Sequence, residues 1–144
     1  MAYKVFVDTN IILDIFLKRD PFFNNSQKTV LECVENDLIP HISGSSVTDL
    51  FYICKKSGMK EEIILDNLKE LLEAFEVVII DKSSILNAIS SEIKDFEDAV
   101  QIMACQKEKI NLIITRNKKD FKTDKIQVQT PEEFLASILK GKFA

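Results

Sequence analysis

Short apolar runs closed by polar residues alternate along this chain with longer stretches in which apolar residues return every three to four positions. The runs "YKVFVD", "LIPHIS", "EVVIID" and "NLIIT" read as buried strands, with a weaker fifth around "IQVQ". Between the first two, "TNIILDIFLK" carries Ile11, Ile12, Ile15 and Phe16 at helical spacing, with Thr9 or Asn10 as its N-cap. A turn at "KRDPFF" separates it from a second helix, "NNSQKTVLECVEND". After the second strand comes a helical hairpin, "SSVTDLFYICKK" and "EEIILDNLKELLEAF" joined by "SGMK". "SSILNAISS" and "DFEDAVQIMACQKE" precede the fourth strand, and "TPEEFLASILKG" closes the chain with Pro131 at N1 behind a Thr130 cap. This alternation predicts a three-layer α/β/α sandwich around a central, mainly parallel sheet of about five strands.

In such sheets ligands bind beyond the carboxyl ends of the strands. Topology alone therefore nominates Asp8, residues 44–46, Asp81 and residues 115–117. Asp49 lies one turn into the helix after the second strand, Asp95 and Asp98 open the helix before the fourth, and Asn117 follows that strand. Acids and amides thus gather at one sheet edge, with no His, Cys or nucleophilic serine motif among them. An all-oxygen set suits hard cations such as Mg²⁺ or Mn²⁺, which also relieve the repulsion between crowded carboxylates. Each acid has a plainer reading as well. Ser46/Asp49 and Asp95/Asp98 both have the three-residue spacing of a helix cap, and Asp8 is also consistent with a solvated strand end. Asp14, four residues after Asn10, reads as either an exposed acid or a supporting neighbour of the metal.

Composition narrows the remaining choices. The 144 residues, 46% hydrophobic and with only three Gly and three Pro, suffice for one domain over residues 1–144. Cys33, Cys54 and Cys105 are odd in number and widely spaced, so reduced, buried thiols are expected rather than disulfides or a zinc site. The lone His41 reads as structural. The opening "MAYKVFVD" lacks signal-peptide character and no apolar run approaches the roughly 18 residues of a membrane span, so a cytoplasmic protein is expected. A net charge of −4 gives no overall attraction for nucleic acid, leaving any such contact to local patches.

"VFVDTNIILD" resembles the N-terminal signature of PIN domains, the small nuclease domains found as VapC-type toxins of bacterial toxin–antitoxin pairs. "SSVTDLFYICKK" occupies the place of the second acid, "KDFEDAVQIMACQ" resembles the third acidic motif and "LIITRNKKDF" the last, so the likeness spans nearly the whole chain. The resemblance implies a divalent-metal-dependent endoribonuclease, often a homodimer, inhibited by a partner antitoxin. It assigns Asp8, Asp49, Asp98 and Asp95 as catalytic metal ligands and Thr115 as a polar neighbour of the metal. Asn10 and Asn117 join Thr115 as supporting groups. Two positions depart from the pattern: Asp49 stands where Glu is usual, and Asn117 where many members have Asp. Asp120, three residues on, reads either as an acid that compensates for the uncharged Asn117 or as a simple turn acid. Arg116, Lys118 and Lys119 are expected to position an RNA backbone, and Phe22, Phe23 and Phe51 either pack or stack on bases.

Two alternatives stay open on these residues. One is a catalytically weak PIN scaffold acting by partner or RNA binding. The other is a phospho-receiver module with Asp81 as acceptor, against which the two helices after Asp8 and the "TRN" ending of strand four already count.

Overall fold

The computed structural model describes residues 2–143. The first strand, β1 (Lys4–Val7), is the centre of a five-stranded sheet, and Val5, Phe6 and Val7 are all fully buried. On one side lie β2 (Ile39–Ser43) and then β3 (Glu76–Val78); on the other lie β4 (Leu112–Ile114) and β5 (Gln127–Gln129). Every pairing is parallel, with Val5 opposite both Pro40 and Leu112. The order β3-β2-β1-β4-β5 differs from the 2-1-3-4-5 order of receiver-type sheets, which removes the signalling alternative at the level of topology.

Among the described residues seven helices supply the outer layers. Two follow each of the first three strands: α1 (Thr9–Phe16) and α2 (Phe23–Glu35), α3 (Gly44–Lys56) and α4 (Glu61–Ala74), then α5 (Lys82–Ile89) and α6 (Phe96–Lys107). The final helix, α7 (Pro131–Leu139), starts with a full capping box between Thr130 and Glu133. The pleat of the strands sorts the core into two. Val5, Val7, Leu112 and Ile114 pack with Ile11, Ile12, Leu50, Ile64 and Phe134, while Phe6 and Ile113 pack with Ile102, Cys105 and Phe121 on the opposite face.

Several boundaries move by a residue or more. The cap of α1 is Asp8 rather than Thr9 or Asn10, and Ser43, not Ser46, caps α3 by accepting from the Ser46 N–H. The third strand is shorter than the "EVVIID" run because Ile79 and Ile80 have no partner strand beyond β2's end. The three cysteines are buried and free, and His41 is buried with Nδ1 on the Ile39 carbonyl oxygen at 2.8 Å. Among the described residues no helix is long and apolar enough to cross a membrane.

The strand order reverses between β1 and β4, so the crevice beyond their carboxyl ends is where a ligand is expected. The connection from β4 to β5 carries no helix; the irregular segment 115–126 runs over that crevice.

Candidate active site

A cleft of about 350 Å³ opens beyond the ends of β1 and β4. Its walls include Asp8, Asn10, Asp49, Asp95, Asp98 and Asn117, drawn from three helix starts and one loop. Asp8 is set where β1 turns into α1; its N–H donates to the Ile114 carbonyl at 3.0 Å. Although Asp8 is the N-cap residue, its carboxylate makes no cap bond and Oδ2 accepts instead from the Thr115 hydroxyl at 2.9 Å. That hydroxyl also receives the Asn117 N–H at 3.1 Å, so Thr115 links the strand-end acid to the loop.

Asp49 owes its position to the α3 cap. The Ser43 and Ser46 hydroxyls lie 2.8 Å apart, and Ser46 meets the Thr9 hydroxyl at 2.6 Å, which ties the start of α3 to the start of α1. Asp49 follows Ser46 by one turn and faces the cleft; it caps nothing. Asp95 does cap, its Oδ1 accepting from the Asp98 N–H at 3.0 Å, and it lines the cleft as well.

The acids are crowded enough to change one another's proton affinity. Burial raises the Asp8 pKa against the opposing pull of the Thr115 hydroxyl, the Thr9 N–H and Arg116. Asp98 is pushed up to about 7, first by burial and then by the negative charges of Asp95, Asp120, Asp8 and Glu97. Glu97 rises too, through burial and through Asp49, Asp95 and Asp8.

Two lining residues, Glu97 and Gln101, escaped the reading of the sequence, and a third, Asp120, stood between two readings. Glu97 neighbours Asp98 and reads as a solvated first-turn acid. Asp120 lines the cleft and bears on Asp98. Gln101 is buried, three residues after Asp98 on the same face of α6, and that polar position on the inner side of a helix was the available signal.

Other nominated residues lie elsewhere. Asp81 caps α5 and pairs with Lys107, outside the cleft. Arg116 does not offer its guanidinium to the rim: Nε and Nη2 hold the two oxygens of Asp14 at 2.9 and 3.2 Å. Asp14 is not exposed; it is fully buried and does not line the cleft. Lys118 pairs with Glu133 at 3.1 Å, whereas Lys119 borders an adjoining cleft with Lys94 and Lys122. Phe22 lies against Arg116, with the guanidinium carbon 3.9 Å from its ring centre, while Phe23 lines a separate groove and Phe51 packs on the core.

The PIN domain family profile matches residues 4–119. The chain belongs to the PIN domain family. It is 32% identical over 136 residues to Ribonuclease VapC1 of Aquifex aeolicus, an alignment covering 91% of this chain and 92% of that protein. Among solved structures, this PIN domain superposes with a TM-score of 0.66 on a chain of VapBC2 from Rickettsia felis bound to a promoter DNA fragment. The identity there is 20%, over 88% of this chain and 98% of that one. A toxin–antitoxin complex from Klebsiella pneumoniae gives the same TM-score at 23% identity, over 88% and 97%.

The donor set of this PIN domain suits a hard divalent cation: carboxylates, amides and hydroxyls, with no imidazole or thiol on the cleft wall. Among the described residues, no three carboxylate, imidazole or thiol side chains already stand as a closed metal cage. A bound cation would relieve both the burial cost and the like-charge repulsion that together raise the proton affinity of Asp98.

Proposed function

We propose that this PIN domain is a divalent-metal-dependent endoribonuclease, with Mg²⁺ or Mn²⁺ held by Asp8, Asp98, Asp95 and Asp49, and that it is the toxin of a toxin–antitoxin pair. The observation that carries the reading is the convergence of Asp8, Asp49, Asp95, Glu97, Asp98 and Asp120 on one cleft at the β1/β4 switch point. The likeness to a ribonuclease over nine-tenths of the chain supports the substrate class.

A cation bound by these acids supplies Lewis acidity toward water and positive charge toward the scissile phosphate. The protein's own contribution is positional. Thr115 fixes the Asp8 carboxylate through its hydroxyl, and Asn10 and Asn117 add amide groups to the cleft wall that orient water or phosphate oxygen. Among the described residues no Ser, Cys or His lines the cleft, and the Thr9 hydroxyl there is hydrogen-bonded to Ser46 rather than to a base, so no covalent intermediate is expected. Water attacks phosphorus in line and the ribose 3′-oxygen leaves, giving 5′-phosphate and 3′-hydroxyl ends. RNA approaches an acidic cleft over Lys119 and its neighbours Lys94 and Lys122, which offset the carboxylate charge.

The partner reading rests on a different surface. A larger, mainly apolar groove of about 480 Å³ lies between α1, α2 and α4, lined by Phe16, Phe23, Val30, Leu31, Val34 and Leu71, and contains none of the acids proposed to hold the metal. Its size and apolar lining fit a helical or extended segment of an antitoxin. The fold's likeness to chains solved in toxin–antitoxin complexes supports that partner.

The deciding experiment is cleavage of purified total RNA with Mg²⁺ or Mn²⁺, beside EDTA and Asp8→Asn controls. Discrete fragments that disappear in both controls support the enzyme. Mn²⁺ binding with intact RNA would favour a second reading, a scaffold weakened by the short Asp49 side chain and the uncharged Asn117.

A further inference from the structure

The segment 115–126 crosses the top of the sheet without regular structure, yet it carries Asn117 and Asp120 onto the cleft wall and sets the Thr115 hydroxyl against Asp8. Something must hold it in register with Asp8. Midway along it Phe121, and at its far end Ile126, are buried in the core face shared with Phe6 and Ile113. At its near end the anchor is Arg116, the residue between the two that contact each other through the Thr115 hydroxyl.

Arg116 is bound on every side that matters. Its guanidinium grips Asp14 through two bonds and lies against the Phe22 ring. Asp14, fully buried, also accepts from the Ser26 hydroxyl at 3.0 Å and has Arg19 at 3.8 Å. The cluster thereby joins α1, the start of α2 and the β4–β5 loop at a single buried carboxylate. Such a paired, partly buried fork is held by its full geometry, and a lysine does not reproduce it.

We propose that Asp14 and Arg116 act together as a positioning clamp, holding the backbone of residues 115–117 so that Thr115 orients Asp8 and Asn117 stays on the cleft wall. The clamp rests on the nuclease reading above for its consequence and on geometry alone for its existence. Neither residue hydrogen-bonds a cleft acid; the pair acts on Asp8 through Thr115, with the Arg116 charge adding a direct pull on the Asp8 carboxylate.

The test combines Asp14→Asn, Arg116→Met, Arg116→Lys and the double Asp14→Asn/Arg116→Met variant. Each is assayed for RNA cleavage, for Mn²⁺ affinity by calorimetry, and for amide hydrogen exchange of the segment 114–122. Either single change is expected to speed exchange in that segment, to weaken Mn²⁺ binding and to lower kcat by roughly 10- to 100-fold, with KM within about twofold of wild type. The double variant should be no worse than the poorer single, and Arg116→Lys should recover only part of the loss. A rise in KM for Arg116→Met, with Asp14→Asn unaffected and Arg116→Lys normal, would identify a phosphate contact and overturn the clamp. So would lower thermal stability with unchanged kcat and loop exchange, the mark of a purely structural pair. If wild type neither binds Mn²⁺ nor cleaves RNA, the nuclease reading falls, while the exchange data still decide whether the clamp exists.

Discussion

At the scale of single residues, the charge crowding at Asp98 has a consequence for pH. Its folded-state pKa, about 7, stands above the ordinary 3.8, so the metal-free folded protein holds that proton more tightly than the unfolded chain does. The stability this contributes is complete below pH 3.8 and is lost as pH rises through about 7. Asp81 and Glu133, whose pKa values are lowered, act in the opposite direction, so the informative quantity is a difference. Metal-free wild type should lose thermal stability relative to Asp98→Asn across that window. Saturating Mn²⁺ should reverse the difference, read by melting curves at a series of pH values. A pH-independent gap between the two proteins would remove Asp98 from the acid cluster. Asp49 invites a separate measurement, because a longer carboxylate reaches farther into the cleft. Asp49→Glu is expected to raise Mn²⁺ affinity, and Asp49→Ala to lower cleavage by roughly tenfold, if Asp49 acts on the metal as proposed. Equal activity of all three would leave Asp49 without a role.

At the scale of elements, capping decides where helices begin and therefore where the acids stand. Thr130 and Glu133 close the N-terminus of α7 reciprocally, outside the cleft. Thr130→Ala should cost about 1 kcal/mol, lowering Tm by about 3 °C with cleavage unchanged, as calorimetry and the RNA assay would show. The same local chemistry explains what was legible in the sequence. Strands β1, β2 and β4 are readable because both faces are buried and their runs are continuously apolar, and Thr130-Pro131 marks the last helix without tertiary help. Placing Asp8, Asp49, Asp95 and Asp98 on one cleft followed from strand ends and helix starts. The cap of α3 was misplaced because "SGSS" offers three serines, and only packing against Thr9 distinguishes them. The Asp14–Arg116 pair joins residues 102 positions apart, and no local pattern encodes such a pairing. Arg116 therefore looked like one more cation of a basic run. Glu97 was hidden for a related reason: an acid in a first turn is usually solvated, and only the third dimension folds it over the same cleft as Asp120, whose two readings the sequence alone did not separate.

At the scale of the whole molecule, a second apolar surface, besides the groove of α1, α2 and α4, stands exposed among the described residues. Ile85, Leu86 and Ile89 occupy one side of α5, the last two 52% and 64% exposed, with Ile79 and Phe96 also more than half exposed nearby in sequence. These are large side chains, and the α5 face lies away from the apolar groove of α1, α2 and α4. Burying them requires a second surface, and a two-fold symmetric pairing of this face with itself is the simplest that closes. The homodimer implied by the family resemblance is accordingly expected to use α5. α5 packs on α6, which carries Asp98, so such a dimer contacts the element that bears the acidic helix start. Wild type should sediment as a dimer at micromolar concentration. Leu86→Glu/Ile89→Glu should sediment as a monomer with little change in Mn²⁺ affinity, since neither side chain lines the cleft. A monomeric wild type at high micromolar concentration would assign the exposed α5 face to some other partner. A dimer that survives both charges would place the contact on another face.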